Sequence, residues 1–135
     1  MQNSTRIPMI IVLLGLMAVS GCGMSGPAYA PPVAHAAAVV DMGFMSFKPA
    51  TVTIRRGETV EWRNTSLITH TVTDDPKQAK KARDALLPQG ASTVDSGDIA
   101  AGQAYLHTFS VPGTYHYFCE HHESHGMVAT VIVGP

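Results

Sequence analysis

Three side chains that bind soft metal ions follow one another closely in the last part of the chain. Cys119, His122 and Met127 form a C-x2-H-x4-M spacing, and a second imidazole, His70, lies well upstream in a strand-like stretch. Two His, one Cys and a nearby Met are the ligand set of a trigonal copper centre with a weak axial thioether. Thiolate and thioether suit Cu(I), and imidazole binds both oxidation states. The set therefore suits an ion that changes its charge while it keeps its ligands.

The spacing also has a geometric reason. If Cys119 ends one strand and Met127 begins the next, a short loop places His122 at its tip, and the three side chains converge at one end of a sandwich. Two other interpretations compete with this one. A buried cysteine is often no more than a small core residue, and zinc also binds His and Cys. Zinc makes little use of a thioether, so the complete pattern favours copper.

The N-terminal residues predict export from the cytoplasm. Residues 1–6 are polar with one basic side chain, and residues 7–19 are almost wholly apolar. This run is too short to span a membrane, which takes about 20 residues, but it fits the core of a signal peptide. The V-S-G-C sequence that ends at Cys22 resembles the lipobox of bacterial lipoproteins, in which the Cys is lipidated and becomes the first mature residue. An A-x-A cleavage site at residues 28–30 is the alternative, but Pro31 directly after it disfavours that cut.

These assignments divide the chain into three parts. We expect a signal peptide over residues 1–21, a lipidated Cys22 with a Pro/Ala-rich tether over residues 22–38, and one domain over residues 39–135. Stable attachment takes more than one acyl chain. The expected location is outside the cytoplasm, on the periplasmic or cell-surface side of a membrane. If Cys22 carries lipid, Cys119 has no disulfide partner and is left as a free thiol that a bound metal would protect.

The charge balance of the mature chain argues against one class of partner. Arg6 of the leader is one of nine basic residues, which leaves eight basic against ten acidic residues after cleavage. Domains that bind nucleic acid usually carry a basic excess. We therefore expect no nucleic-acid partner.

Short alternating runs bounded by turn residues predict antiparallel strands. Six such runs are visible, over residues 51–55, 59–63, 69–73, 104–110, 114–119 and 128–133. Spacing of this kind is typical of a β-sandwich or barrel. Trp62 and Phe109 are most simply core residues of such a fold.

One segment departs from the strand pattern. Residues 75–87 begin with Asp75 as a candidate N-cap and with Pro at the first helical position, and Ala and Leu recur at helical spacing. This pattern predicts a short surface helix followed by a loop over residues 88–92. The helix carries four cations, which we interpret as a solvated face, with a docking patch as the alternative: Lys77, Lys80, Lys81 and Arg83.

Taken together, these residues resemble a cupredoxin, near the plastocyanin and pseudoazurin branch. The resemblance rests on His122 and on residues 47–52, 57–62, 69–72, 112–115, 117–119 and 126–128. It implies an all-β Greek-key sandwich, here with a short helical insertion, one mononuclear type 1 copper and outer-sphere electron transfer. It also implies a set of ligands, three of them strong and the last one weak and axial: His70, Cys119, His122 and Met127.

The resemblance and the strand alternation carry further expectations about the site. Tyr115, Tyr117 and Cys119 should face the core, whereas His116 and Phe118 should face outward, and Phe118 should then offer a second route for electrons. The ring edge of His122, at the exposed loop tip, should be the main exit.

Several positions depart from the family pattern. The family often has Asn after its first His ligand, where it ties the copper loops together, and this chain has Thr71. The family also often has Pro before the second His, where this chain has His121, preceded by Glu120. With Glu123 and His125, these residues predict a loop more polar than the apolar docking face usual in the family.

The sequence therefore predicts a membrane-tethered blue-copper protein that carries single electrons and is not an enzyme. We expect a monomer that exchanges electrons with redox proteins such as a cytochrome or a membrane oxidoreductase. The alternative is a copper chaperone or storage protein, for which the extra His121 and His125 and several Met residues, among them Met42 and Met45, would be suited.

Overall fold

A computed structural model describes residues 35–135 of the chain. The predicted signal peptide, the predicted lipidation site Cys22 and the tether up to residue 34 lie outside the described residues. Within residues 35–135, no helix is long and apolar enough to cross a membrane.

Within residues 35–135, seven strands form two sheets. The first sheet has the strand order β2-β1-β4-β5 and the second has the order β3-β7-β6. The strands are β1 (Ala38–Met42), β2 (Phe47–Lys48), β3 (Thr51–Arg55), β4 (Thr59–Asn64), β5 (Ala104–Thr108), β6 (Gly113–Phe118) and β7 (Val128–Gly134). The predicted all-β Greek-key sandwich is confirmed.

Two strand pairings differ from the antiparallel arrangement that the sequence predicts. β1 runs parallel to β4, and β3 runs parallel to β7, while the other pairs are antiparallel. Parallel neighbours need a long connection, and both pairs join strands that are separated in the chain by other elements. An alternating pattern along one strand contains no information about the direction of such a distant partner.

Aromatic side chains fill the space between the two sheets. The ring of Trp62 in β4 lies 5.5 Å from that of Tyr117 in β6, at an interplanar angle of 83°. The ring of Phe109 lies 6.3 Å from that of Trp62 and 4.8 Å from that of Tyr115. The edge-to-face pairs among these, Trp62 with Tyr117 and Phe109 with Tyr115, are favourable beyond the area they bury. Trp62 and Phe109 are both buried, as the sequence predicts.

The predicted helix over residues 75–87 is wrong. The segment consists of turns with a single 3₁₀ turn at Ala82–Asp84. Asp75 does act as a cap at the start of the segment, because one of its carboxylate oxygens accepts a hydrogen bond from the backbone N–H of Lys77 at 2.9 Å. However, the segment then uses its backbone in tertiary contacts: Leu86 exchanges two backbone hydrogen bonds with His116 of β6. Tertiary context overrides a weak local propensity.

The other strand predictions agree with the structure to within one residue at each end, apart from three larger differences. Residues 69–73 do not join a ladder but form isolated bridges, of His70 with Ile99 and of Thr73 with Phe118 and Asp95. β5 ends at Thr108, two residues before the predicted end. The strands β1 and β2 were not predicted.

Candidate metal centre

Two segments bring the predicted ligand residues to one end of the sandwich. Cys119 follows β6 directly, Met127 directly precedes β7, and His122 lies in the loop between them. The loop is closed by backbone hydrogen bonds from Cys119 N to Met127 O at 3.1 Å and from Met127 N to His122 O at 3.2 Å. A 3₁₀ turn at Glu123–His125 fills the loop and ends at Gly126, whose φ of 82° lies in the region that favours glycine.

The ligand atoms of three residues converge. The sulfur of Cys119 lies 3.7 Å from Nδ1 of His70 and 3.4 Å from Nδ1 of His122, and all three atoms lie within 4.8 Å of one another. Bonds of about 2.0 Å to nitrogen and about 2.3 Å to sulfur that meet near 120° separate the two ligand atoms by roughly 3.7 Å. The cluster therefore has the dimensions that one bound metal ion requires.

Burial distinguishes the members of the site. His70, Cys119 and Met127 are fully buried, whereas His122 is partly exposed. Cys119 forms no disulfide within the part of the chain that the structure describes. A soft thiol and a thioether inside an apolar end of the sandwich, with one imidazole that reaches the surface, match the donor types of a type 1 copper centre.

A chain of hydrogen bonds orients the ring of His70. The hydroxyl of Ser66 lies 2.9 Å from Nε2 of His70 and 2.8 Å from the side-chain oxygen of Asn64. The Ser66 hydroxyl donates its one hydrogen to the Asn64 oxygen, so that it can accept a hydrogen bond from Nε2–H of His70. In that tautomer Nδ1 of His70 is free to bind a metal, and outer contacts of this kind commonly fix metal-binding histidines.

Thr71 connects the two segments that supply the ligands. Its hydroxyl accepts a hydrogen bond from the backbone of Glu120 at 2.8 Å, and its own backbone N–H donates to the sulfur of Cys119 at 3.3 Å. The sequence marks Thr71 only as a departure from the Asn of the family. The structure shows that the threonine hydroxyl also ties the loops together.

The pKa values of both imidazoles at the site are lowered. For His70 the main cause is burial, followed by the charge of His122, and a hydrogen bond from the imidazole to the backbone carbonyl of Gly43 opposes them. For His122 the pKa is lowered by burial and then by the neighbouring His121 and His125. A neutral imidazole is the form that binds a metal, so burial favours the binding-competent state.

Two expectations about the surroundings of the site are wrong. Phe118 is not exposed at the surface: it is fully buried, although it is not part of the core cluster that contains Tyr115, Tyr117 and Cys119. Glu123 does not add a polar group to the surface, because it is only 1 % exposed. His121 and His125 are exposed, as the sequence predicts, and Nε2 of His121 lies 2.8 Å from a carboxylate oxygen of Asp98.

Comparison with known proteins agrees with this geometry. Residues 34–134 match the family described as copper binding proteins, plastocyanin/azurin family. The chain belongs to this family. As a cupredoxin, it carries a donor cluster that fits one type 1 copper.

Individual relatives are similar over most of this cupredoxin's domain. A chloroplastic plastocyanin of Tetradesmus obliquus is 39 % identical over 93 residues, which are 69 % of this chain and 61 % of that protein. A plastocyanin of Scenedesmus fuscus is 37 % identical, over 69 % of this chain and 91 % of that protein. A plastocyanin of Nostoc punctiforme is 31 % identical over 127 residues, which are 92 % of this chain and 90 % of that protein.

Solved structures of amicyanin resemble the fold. A reduced single-residue variant of amicyanin superposes with a TM-score of 0.57 at 28 % identity, over 76 % of this chain and 86 % of that chain. A Cu(I) form of another amicyanin variant gives a TM-score of 0.57 at 29 % identity, with the same coverage.

Proposed function

We propose that this cupredoxin carries single electrons between redox partners outside the cytoplasm. In this proposal His70, Cys119 and His122 are the strong copper ligands and Met127 is the weak axial ligand. The observation that carries the proposal is the convergence of the Cys119 sulfur and two imidazole Nδ1 atoms within 4.8 Å at the end of the sandwich. When bound there, copper supplies a couple that gains and loses one electron.

Electron transfer of this kind is favoured by a rigid site, and several residues of the chain restrain the ligands. Ser66 orients the ring of His70, and Thr71 joins the His70 segment to the Cys119 loop. Both His70 and Cys119 are inaccessible to water. A site fixed in advance undergoes little rearrangement when its charge changes, and fixed dipoles need not reorganise. The partly exposed ring of His122 is then the natural point of electron exit.

The visible spectrum after addition of Cu(II) tests this proposal. A Cys119 thiolate bound to Cu(II) should give an intense colour that bleaches on reduction, because charge transfers from sulfur to metal. Cys119→Ser should remain colourless even if metal is retained. His121→Ala is the matched control, since this exposed imidazole lies beside the site but outside the ligand set, and it should stay blue. A colourless wild-type protein with one equivalent of copper would exclude a type 1 site.

The proposed location rests on the N-terminal sequence. A signal peptide followed by a lipid-modified Cys22 and a Pro/Ala-rich tether would hold the domain near a membrane while it moves between donor and acceptor. Wild-type protein should sediment with membranes, and Cys22→Ser should not be lipidated. A mature N-terminus at Pro31 without modification, found by mass spectrometry, would contradict the anchor.

Copper delivery or storage is the second candidate. It is favoured by the rings of His121 and His125, whose centroids lie 6.2 Å and 6.5 Å from that of His122. Against it, the ligands come from two separate segments, so release requires the end of the sandwich to open. Slow loss of copper to a Cu(I) chelator with fast oxidation by a small redox reagent would support electron transfer. Fast loss with slow oxidation would support delivery.

A further inference from the structure

Glu123 lies in the ligand loop directly after His122 and anchors the inserted segment. One of its carboxylate oxygens accepts hydrogen bonds from the backbone N–H groups of Lys80 and Lys81, and the other oxygen also accepts from Lys80, all at 2.9 Å. A buried carboxylate is costly unless it is hydrogen-bonded, and here backbone donors satisfy it. The copper loop and the segment around Lys80 are therefore joined by a buried, charge-assisted contact.

The inserted segment is held at its other end as well. Leu86 pairs with His116 of β6 through two backbone hydrogen bonds, and Nδ1 of His116 lies 3.2 Å from the carbonyl oxygen of Arg83. Residues 80–86 are thus held at both ends, by Glu123 of the metal-binding loop and by His116 of β6. Their position relative to His122 follows from these contacts.

This segment concentrates positive charge. Residues 77–83 hold four of the eight Lys and Arg side chains in residues 35–135, and all four are exposed. Within residues 35–135, the side chains of Lys77, Lys80 and Lys81 make no salt bridge, whereas Nε of Arg83 lies 3.7 Å from a carboxylate oxygen of Asp84. Two acidic residues, Asp75 and Asp84, leave residues 75–84 with a net charge of +2.

The ligand loop itself holds two acidic residues, the partly exposed Glu120 and the buried Glu123. The Glu123 carboxylate is buried and its oxygens face backbone donors rather than solvent. Asp98 is in contact with His121. A cationic surface beside an electron exit attracts anionic partners and speeds their association, as electrostatic steering does in general.

We propose that residues 77–83, fixed beside the ligand loop by Glu123, form a docking surface for an acidic face of the partner redox protein. This inference rests on the proposed electron-transfer function and deepens it by naming the charge of the partner. The exposed cations orient the partner with its cofactor toward His122.

Cytochrome c in two forms provides the probe. Native cytochrome c is basic. Succinylation replaces the positive charges of its lysines by carboxylates, so the same haem protein becomes acidic. Electron exchange with the copper-loaded protein is followed by stopped flow, in the direction that the potentials favour, from about 10 mM to about 1 M ionic strength. Over this range the screening length falls from about 30 Å to about 3 Å.

The test variant is Lys80→Glu/Lys81→Glu, and Arg55→Glu/Arg56→Glu is the control with the same change in charge. Arg55 pairs with Gly134 at the end of β7 opposite Met127, and a strand of this length spans about 20 Å. Lys80→Gln/Lys81→Gln provides a milder second variant that introduces no carboxylate near Glu123. The Cu(II) spectrum and reduction potential of each variant show that the centre itself is intact.

At low ionic strength we expect the succinylated protein to react faster with wild type than with Lys80→Glu/Lys81→Glu, by about tenfold. The rate constant with the succinylated protein should fall about threefold in the Gln variant and less than twofold in the control. These differences in rate should vanish at high ionic strength. Equal rates for the test and control variants would overturn the docking surface. A wild-type protein that is not blue would instead overturn the proposed function, so the two failures are distinguishable.

Discussion

Removal of the Thr71 hydroxyl should weaken both the fold and the copper centre. Thr71 is 2 % exposed, and its hydroxyl is the acceptor for the backbone N–H of Glu120 at 2.8 Å. Thr71→Val keeps the shape of the side chain but replaces this acceptor by a methyl group. The N–H of Glu120 then loses its partner in a partly buried position, and the His70 segment loses one of its links to the Cys119 loop, while the hydrogen bond from the backbone N–H of residue 71 to the Cys119 sulfur remains.

The expected cost follows from the unsatisfied donor. A buried polar group left without its hydrogen bond costs about 1–3 kcal/mol. With a urea m-value of about 1–3 kcal/mol/M for a small domain, the midpoint of unfolding should fall by roughly 1 M. The reduction potential should fall as well, because the Thr71 N–H donates to the Cys119 sulfur at 3.3 Å and hydrogen bonds at this sulfur tune the potential. A loosened donor leaves more negative charge on the sulfur and favours Cu(II).

Urea unfolding of the metal-free protein and voltammetry of the copper-loaded protein measure the two effects. Thr59→Val is the matched control, because the Thr59 hydroxyl makes a 2.7 Å hydrogen bond to Thr108 far from the copper loop. It should lower stability without a change in potential. Thr71→Ser, which keeps the hydroxyl, should retain the wild-type potential. A Thr71→Val protein with wild-type stability and potential would refute the role given to this hydroxyl.

Two further variants test other parts of the structure. Met127→Leu should stay blue with a higher reduction potential, because the axial thioether donates density that favours Cu(II); an unchanged potential in voltammetry would mean that Met127 only packs in the core. Burial raises the pKa of Asp74 from an ordinary 3.8 to about 6, so the folded protein binds this proton more tightly than the unfolded chain and loses stability as the pH rises from about 4 to about 6. Asp74→Asn removes this titration. Urea unfolding of the metal-free proteins should therefore show that the Asp74→Asn variant gains stability relative to wild type as the pH rises from about 4 to about 6. A difference between the two proteins that is constant with pH would contradict this reasoning.

Local sequence patterns predicted the ligand loop and most strands. Cys119, His122 and Met127 lie within nine residues, so their spacing alone fixes how a strand, a tight loop and a second strand must arrange them. The strands β3, β4, β6 and β7 alternate buried and exposed residues over most of their length. Alternation of this kind can be read along the chain without knowledge of any partner.

Nonlocal contacts decided the rest. The sequence does not predict β1, because Ala38–Met42 shows no clear alternation of apolar and polar residues and its parallel partner β4 is distant in the chain. Residues 75–87 do not form the predicted helix, because the backbone N–H groups of Lys80 and Lys81 donate to the buried carboxylate of Glu123 instead of to carbonyl groups within the segment. The sequence by itself determined which side chains could bind copper, because donor chemistry and short spacing belong to the residues. Only the tertiary structure decided what orients and surrounds them, because Ser66, Thr71 and Glu123 act through partners that the chain brings near only by folding.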